Sequence, residues 1–146
     1  MIPAFAKKSE TAIPIYVVES DNLKSISIDL NIADWVITNQ FQAALGKILI
    51  IPNDKGSISS VLVGWGSEAT RSRGRFHMGA AAAQLPRGTY EIISGLSGKD
   101  LEHAHLAWIL SSYCFDRYKK NPIQSAKLKA SKGINTKRIL IEAEGD

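Results

Sequence analysis

A three-layer α/β/α domain built on a mixed β-sheet is the architecture this sequence predicts, and three observations carry the prediction. Short β-branched runs alternate with helical stretches, the pattern of strands layered against helices. Two neighbouring apolar runs, 47–51 and 58–64, flank a turn and read as a hairpin, so one strand pair is antiparallel and the sheet is mixed. The stretch "AHLAWILSSYCF" is apolar on nearly every side of a helix, as a helix packed between layers must be.

Residues 1–11, with Pro3 and the polar "KKSET", read as a flexible arm. "IPIYVV" (13–18) is β-branched and aromatic and forms the first strand, with Pro14 near its start, where a missing donor is tolerated. After it, Leu23, Ile26, Ile28, Leu30 and Ile32 mix the periods of helix and strand and leave that stretch open. Ile32, Trp35, Val36 and Asn39 fall on one side of a short helix. The hairpin turns at "PNDKG", whose Asn, Asp and Gly suit a tight turn, and "VLV" in its second run is apolar enough to be buried on both faces.

"GRFHMGAAAAQLPRG" (74–88) has an alanine-rich helical centre, weakened by Gly79 and stopped by Pro86 and Gly88. "TYEII" (89–93) is the next strand. The longest helix follows Gly98, takes Asp100 as its N-cap and closes at Asn121-Pro122. Its end, "YCFDRYKK" (113–120), sets Lys119 and Lys120 against the exposed carbonyl ends and Asp116 four residues before Lys120, so local physics accounts for these charges. "SAKLKAS" (125–131) alternates as a last strand. The domain therefore spans 12–133, and 134–146 opens a helix capped by Asn135 that points to a longer parent chain.

The 146 residues fit one domain, and 45% hydrophobic with 22% charged residues is an ordinary globular balance. No apolar run approaches the roughly 20 residues that span a bilayer, and the start lacks the apolar core of a signal peptide. Cys114 is the only cysteine, which excludes an internal disulfide and leaves no cysteine-rich zinc site. A reducing, cytoplasmic setting is the simple reading. The net charge of +4 permits a nucleic-acid partner without demanding one.

Gly64-Trp65-Gly66-Ser67-Glu68-Ala69 matches G-x-G-x-x-A after a strand. A dinucleotide fingerprint needs a helix N-terminus with free N–H groups at that point, whereas this strand belongs to a hairpin and "TRSRGR" makes a poor first turn. The plainer reading is that the glycines let the chain leave the sheet around a large Trp ring. Arg71, Arg73 and Arg75 can grip phosphates bidentately, yet they lack the interleaved aromatic platform of single-strand binders and read as a solvated loop. Gly64, Gly66, Arg71, Arg73 and Arg75 are thus the candidate anion site. A phosphate ligand of ADP-ribose type, or a nucleic acid, is the second functional reading. His103 and His105, two apart on a helix, point to nearly opposite sides and cannot share a metal, and His77 is far off in sequence. Cys114 reads as inert filling. No catalytic, metal or cofactor residue is assigned.

"SSYCFDRYKK" after an Ala-Trp-Ile-Leu helix resembles a segment of the leucyl (cytosol) aminopeptidase family, in its bacterial branch. "GKILIIPNDKGSISSVLVGWG" resembles that family's hairpin, and "AAQLPRGTYEI" its turn into a strand, in the right order. The resemblance covers most of 13–144 and falls on the family's N-terminal domain, an α/β sandwich of macro-domain type. It implies a cytoplasmic, homohexameric exopeptidase parent. Its larger C-terminal domain holds two divalent ions (zinc or manganese) and removes N-terminal residues from peptides. The family's "NTDAEGRL" signature has no counterpart, because "NT" and "AEG" in "INTKRILIEAEGD" are split by six residues. The positions that match carry no catalytic or metal residue, so the chain is expected to be inactive by itself.

Overall fold

The computed structural model describes residues 5–7, 10–71, 77–118 and 126–145, with the side chains of 112–118 and 142–145 left aside. Its strands are β1 (Ile13–Val18), β2 (Ile48–Pro52), β3 (Ile58–Gly64), β4 (Gly88–Ser94) and β5 (Ala126–Leu128). They form one sheet in the order β2-β3-β1-β4-β5. β1 is parallel to β3 and β4, β4 is parallel to β5, and β2 closes the antiparallel hairpin onto β3. The sheet is mixed, as predicted.

The hairpin turn is built by Asn53. Its side-chain oxygen accepts the N–H groups of Lys55 (2.9 Å) and Ser57 (3.0 Å), and Gly56 supplies the positive φ of 83°. Along β3, Val61, Leu62 and Val63 are all fully buried. Period-two alternation sends Val61 and Val63 to one face and Leu62 to the other, so both faces demand cover.

That cover comes from two helical layers. On the face of Val61 lie α4 (His77–Ala82) and α5 (Gly98–Tyr118), represented in the core by Met78, Ala81, Ala104 and Trp108. On the face of Leu62 lie α1 (Leu23–Asp29) and α2 (Ala33–Thr38), with Val36, Leu23, Ile26 and Leu30. The stretch left open by the sequence is thus helical. Leu23, Ile26 and Leu30 share one stripe, while Ile28 falls off it and is exposed. A single-turn helix, α3 (Glu68–Arg71), follows β3, and α6 (Thr136–Gly145) packs on α5 with Ile139 buried.

Two expectations about helices change. Gly79 does more than weaken α4: a Cβ there would lie 3.1 Å from the carbonyl oxygen of Ala107, and Ser111 donates its hydroxyl to the carbonyl of Gly79 at 3.2 Å. It is the point of close approach between α4 and α5. Asp100 is not the cap of α5. The helix begins at Gly98, the amide of Leu101 reaches back to Ser97 O at 3.3 Å, and Asp100 sits in the first turn, where its charge favours the dipole. Asn135 does cap α6, accepting the N–H of Arg138 at 3.1 Å. Lys119, Lys120, Asn121 and Pro122 lie outside the described residues, as does the side chain of Asp116.

β5 is only three residues long, and one side chain secures it. Trp108, buried in α5, donates its indole N–H to the carbonyl of Ala126 at 3.0 Å and packs its ring against Tyr90 at 6.1 Å. Tyr90 in turn gives its hydroxyl to Pro86 O at 2.8 Å, and burial raises its pKa. Replacing Trp108 with Phe leaves the Ala126 carbonyl unpaired and opens a small void. We expect a loss of about 3 kcal/mol in urea unfolding; a loss under about 1 kcal/mol would show that this bond does not hold β5.

Candidate functional site

In open α/β sheets ligands bind beyond the carboxyl ends of parallel strands, at the point where chain connections part to opposite faces. Here that point lies between β1 and β3, which are paired through to Val18 and Gly64. β1 is followed by α1 on one face, and β3 leads to α4 on the other. The G-x-G-x-x-A stretch occupies this position.

The crevice is filled by the chain itself. The loop at 43–46 lies directly against the end of β3: a Cβ at Gly64 would run into the carbonyl of Ala44 and the backbone of Ala43. Gly64 gives its N–H to Lys47 O at 2.7 Å and accepts from Gly46 at 3.0 Å. Gly66, at φ 60°, donates to Ala43 O at 2.9 Å and accepts from Ser20 at 3.0 Å, while Trp65 donates to Val18 O at 2.8 Å. Beyond them, Thr70 Oγ1 accepts the N–H of Ser67 at 2.9 Å, and Ser67 Oγ accepts that of Thr70 at 3.3 Å. The amides of Gly64, Trp65, Gly66, Ser67 and Thr70 are thus bonded within the domain and not presented to a phosphate.

Arg71 points inward across this knot. Its Nη1 donates to Trp65 O at 2.7 Å, and its Nη2 donates to Glu19 Oε2 at 3.1 Å, linking the loops after β1 and β3. His77 donates Nε2–H to the Arg71 carbonyl at 3.0 Å and meets Trp65 edge-on, with ring centroids 6.0 Å apart. Glu19 therefore offsets the charge of the one candidate arginine that is described. Arg73 and Arg75 lie outside the described residues.

The other candidates are dispersed. His103 is exposed and borders a cleft of about 260 Å³ between α5 and α6, with Lys99, Glu102, Asn135 and Arg138. His105 turns to the opposite side and is fully buried, bonded to backbone groups only. Nothing in its apolar surroundings "AHLAW" foretold those partners. The side chain of Cys114 is not among those described. Among the described residues no three of His, Cys, Asp and Glu converge on a common point, and no helix is long and apolar enough to cross a membrane.

Two outcomes test the closed crevice. Gly64→Ala forces Cβ into fixed backbone, so we expect a loss of about 3 kcal/mol in chemical denaturation; a near-neutral change would mean the loop at 43–46 yields freely. Titration of the chain with ADP-ribose in a calorimeter should give no saturable heat. Saturable binding that Arg71→Gln abolishes would reopen the anion site.

A family model described as M17 aminopeptidase, N-terminal domain, matches residues 13–130. No curated protein matches the sequence. Among solved structures, the cytosol aminopeptidase from Coxiella burnetii is 25% identical with a TM-score of 0.74, and the match covers 94% of this chain and 30% of that one. A tomato leucine aminopeptidase mutant is 17% identical with a TM-score of 0.56, covering 97% and 34%. The bottromycin maturation enzyme BotP, in complex with Mn, is 14% identical with a TM-score of 0.61, covering 92% and 29%. The last two show the fold alone, and the chain spans about a third or less of the length of all three. The family match runs from the first residue of β1 to just beyond β5, and the chain belongs to the N-terminal domain family of the M17 aminopeptidases.

Proposed function

We propose that this chain is the accessory, non-catalytic N-terminal domain of a leucyl-aminopeptidase-like metalloexopeptidase. In this reading the peptide substrate and two divalent ions, zinc or manganese, belong to a separate catalytic domain. The domain described here packs against it, shapes access to its active site and contributes to a homohexamer in the cytoplasm. The observation that carries the reading is the family match over 13–130, joined to the 30% share of the Coxiella burnetii enzyme that the chain spans.

The placement of charges supports it. A two-metal peptidase needs several carboxylates converging on ions about 4 Å apart to ionise a water. Here three acids are each turned to a basic neighbour in a different part of the domain. Glu19 meets Arg71 at 3.1 Å, Glu91 meets Lys129 at 3.9 Å, and Glu102 meets Arg138 at 3.9 Å. Ile28, Ile37, Ile93 and Ile141 are exposed on four different elements and leave apolar surface for a neighbouring domain or subunit.

The assay is direct. Supplied with manganese or zinc, the chain should not hydrolyse leucine p-nitroanilide above the buffer rate. Turnover that a chelator abolishes would place the catalytic machinery within these residues and overturn the assignment.

A further inference from the structure

His105 has no solvent exposure, and each of its ring nitrogens meets a backbone group of a different segment. The Ser131 amide can only donate, so Nε2, 3.0 Å from it, must offer a lone pair. Nδ1 then carries the hydrogen and donates it to the Leu101 carbonyl at 2.8 Å. The geometry specifies a neutral ring, because a second proton would have to occupy the position toward which the Ser131 N–H already points. Burial lowers the pKa of the ring, against a smaller raising effect of the bond to Leu101.

Ser131 extends the connection. Its hydroxyl donates to the carbonyl of Ile92 at 2.6 Å, so one imidazole joins α5, the segment between β5 and α6, and β4. The Phe5 ring closes over it, centroids 5.8 Å apart. The same segment is also held by the Trp108 indole on Ala126 O, the Ala6 N–H on Leu128 O and the Lys129 N–H on Tyr90 O. β5 lies at the sheet edge and meets β4 through three register pairs, and Ile139 is the buried residue of α6 among its described side chains.

Among the described side chains, no countercharge attends the ring. Of the charged groups on the elements around it, Lys7 of the arm and Lys132 beside Ser131 are exposed. On α5, Glu102 is paired with Arg138 of α6, and Glu91 on β4 is paired with Lys129. Lys127 of β5, Asp100 and Lys99 are exposed, and His103 lies on the far side of α5. None of these bonds the imidazole.

We propose that His105 is a proton-sensitive latch: neutral, it holds β5 and α6 to the sheet and to α5, and protonation releases them while the β1–β3 core stays folded. The inference does not depend on the proposed function. The closed state binds its proton more weakly than a freed ring, whose ordinary pKa is about 6.5. The open state therefore takes up protons first as the pH falls. Protection is complete above about pH 6.5, drops by up to about tenfold per unit below it, and levels off beneath the closed-state pKa.

Amide hydrogen exchange on the 146-residue chain at pH 7.5, 6.5 and 5.5, corrected for the intrinsic pH dependence of exchange, tests this. Peptides from 126–145 should lose up to about tenfold in protection between pH 7.5 and 5.5, while peptides from β1 and β3 keep theirs. His105→Gln, whose amide can accept from Ser131 and donate to Leu101 without titrating, should abolish that pH response. An unchanged 126–145 segment, an equal loss in every peptide, or the same pH response in His105→Gln would overturn the latch. Should His105→Gln fail to fold, the NMR titration of the native ring decides. A ring that stays neutral until 126–145 loosens supports the latch; a ring that titrates near 6.5 with protection intact overturns it.

Discussion

The rest of the domain depends on a pair of parallel strands, β1 and β3, that are apolar on both faces. Ile15, Val18 and the run Val61-Leu62-Val63 are fully buried, and strands in that condition exist only with helices on either side of their sheet. Alternate residues of β3 call for different layers, Val61 and Val63 for α4 and α5, Leu62 for α1 and α2. A slip of one residue in the pairing of Ile15 with Val61 would present each layer with the side chains meant for the other. Register and layer assignment are therefore one constraint, and the hairpin that adds β2 inherits it.

How legible this was follows from how local each cause is. The strands at 13–18 and 58–64 and the turn at Asn53 rest on composition and on contacts within a few residues, and they could be read directly. The helix at Leu23–Asp29 could not, because Ile28 adds an apolar residue outside the buried stripe and so blurs the period. Gly79 misled for the complementary reason. Propensity counts its missing side chain as a weakness, whereas the packed domain uses the absence to bring the backbone of α4 against Ala107.

The candidate site was legible as a string and opaque as geometry. Gly64, Gly66 and Arg71 were found, but what surrounds them comes from elsewhere in the chain. The carbonyls against the glycines belong to Ala43 and Ala44, and the partner of Arg71 is Glu19, 52 residues earlier. An arginine whose countercharge is that remote looks free in the sequence. His105 shows the same limit, since its acceptor role depends on the Ser131 amide 26 residues later. Local patterns locate polar groups; only the packed chain assigns their partners.

Those partners bear on what kind of protein this is. The departure of α1 and α4 to opposite faces creates the topological position at which doubly covered sheets accept ligands. In this domain the position is present and occupied from within: Lys47 and Ala43 carbonyls take the amides of Gly64 and Gly66, Ser67 and Thr70 cap each other, and Arg71 bridges Trp65 and Glu19. For an external anion to bind there, it must displace bonds of 2.7–3.1 Å that also join the loops following β1 and β3. Recognition and integrity would then compete for the same donors. A domain that commits these donors to its own closure gains rigidity at the end of the sheet, which agrees with the scaffold role proposed above.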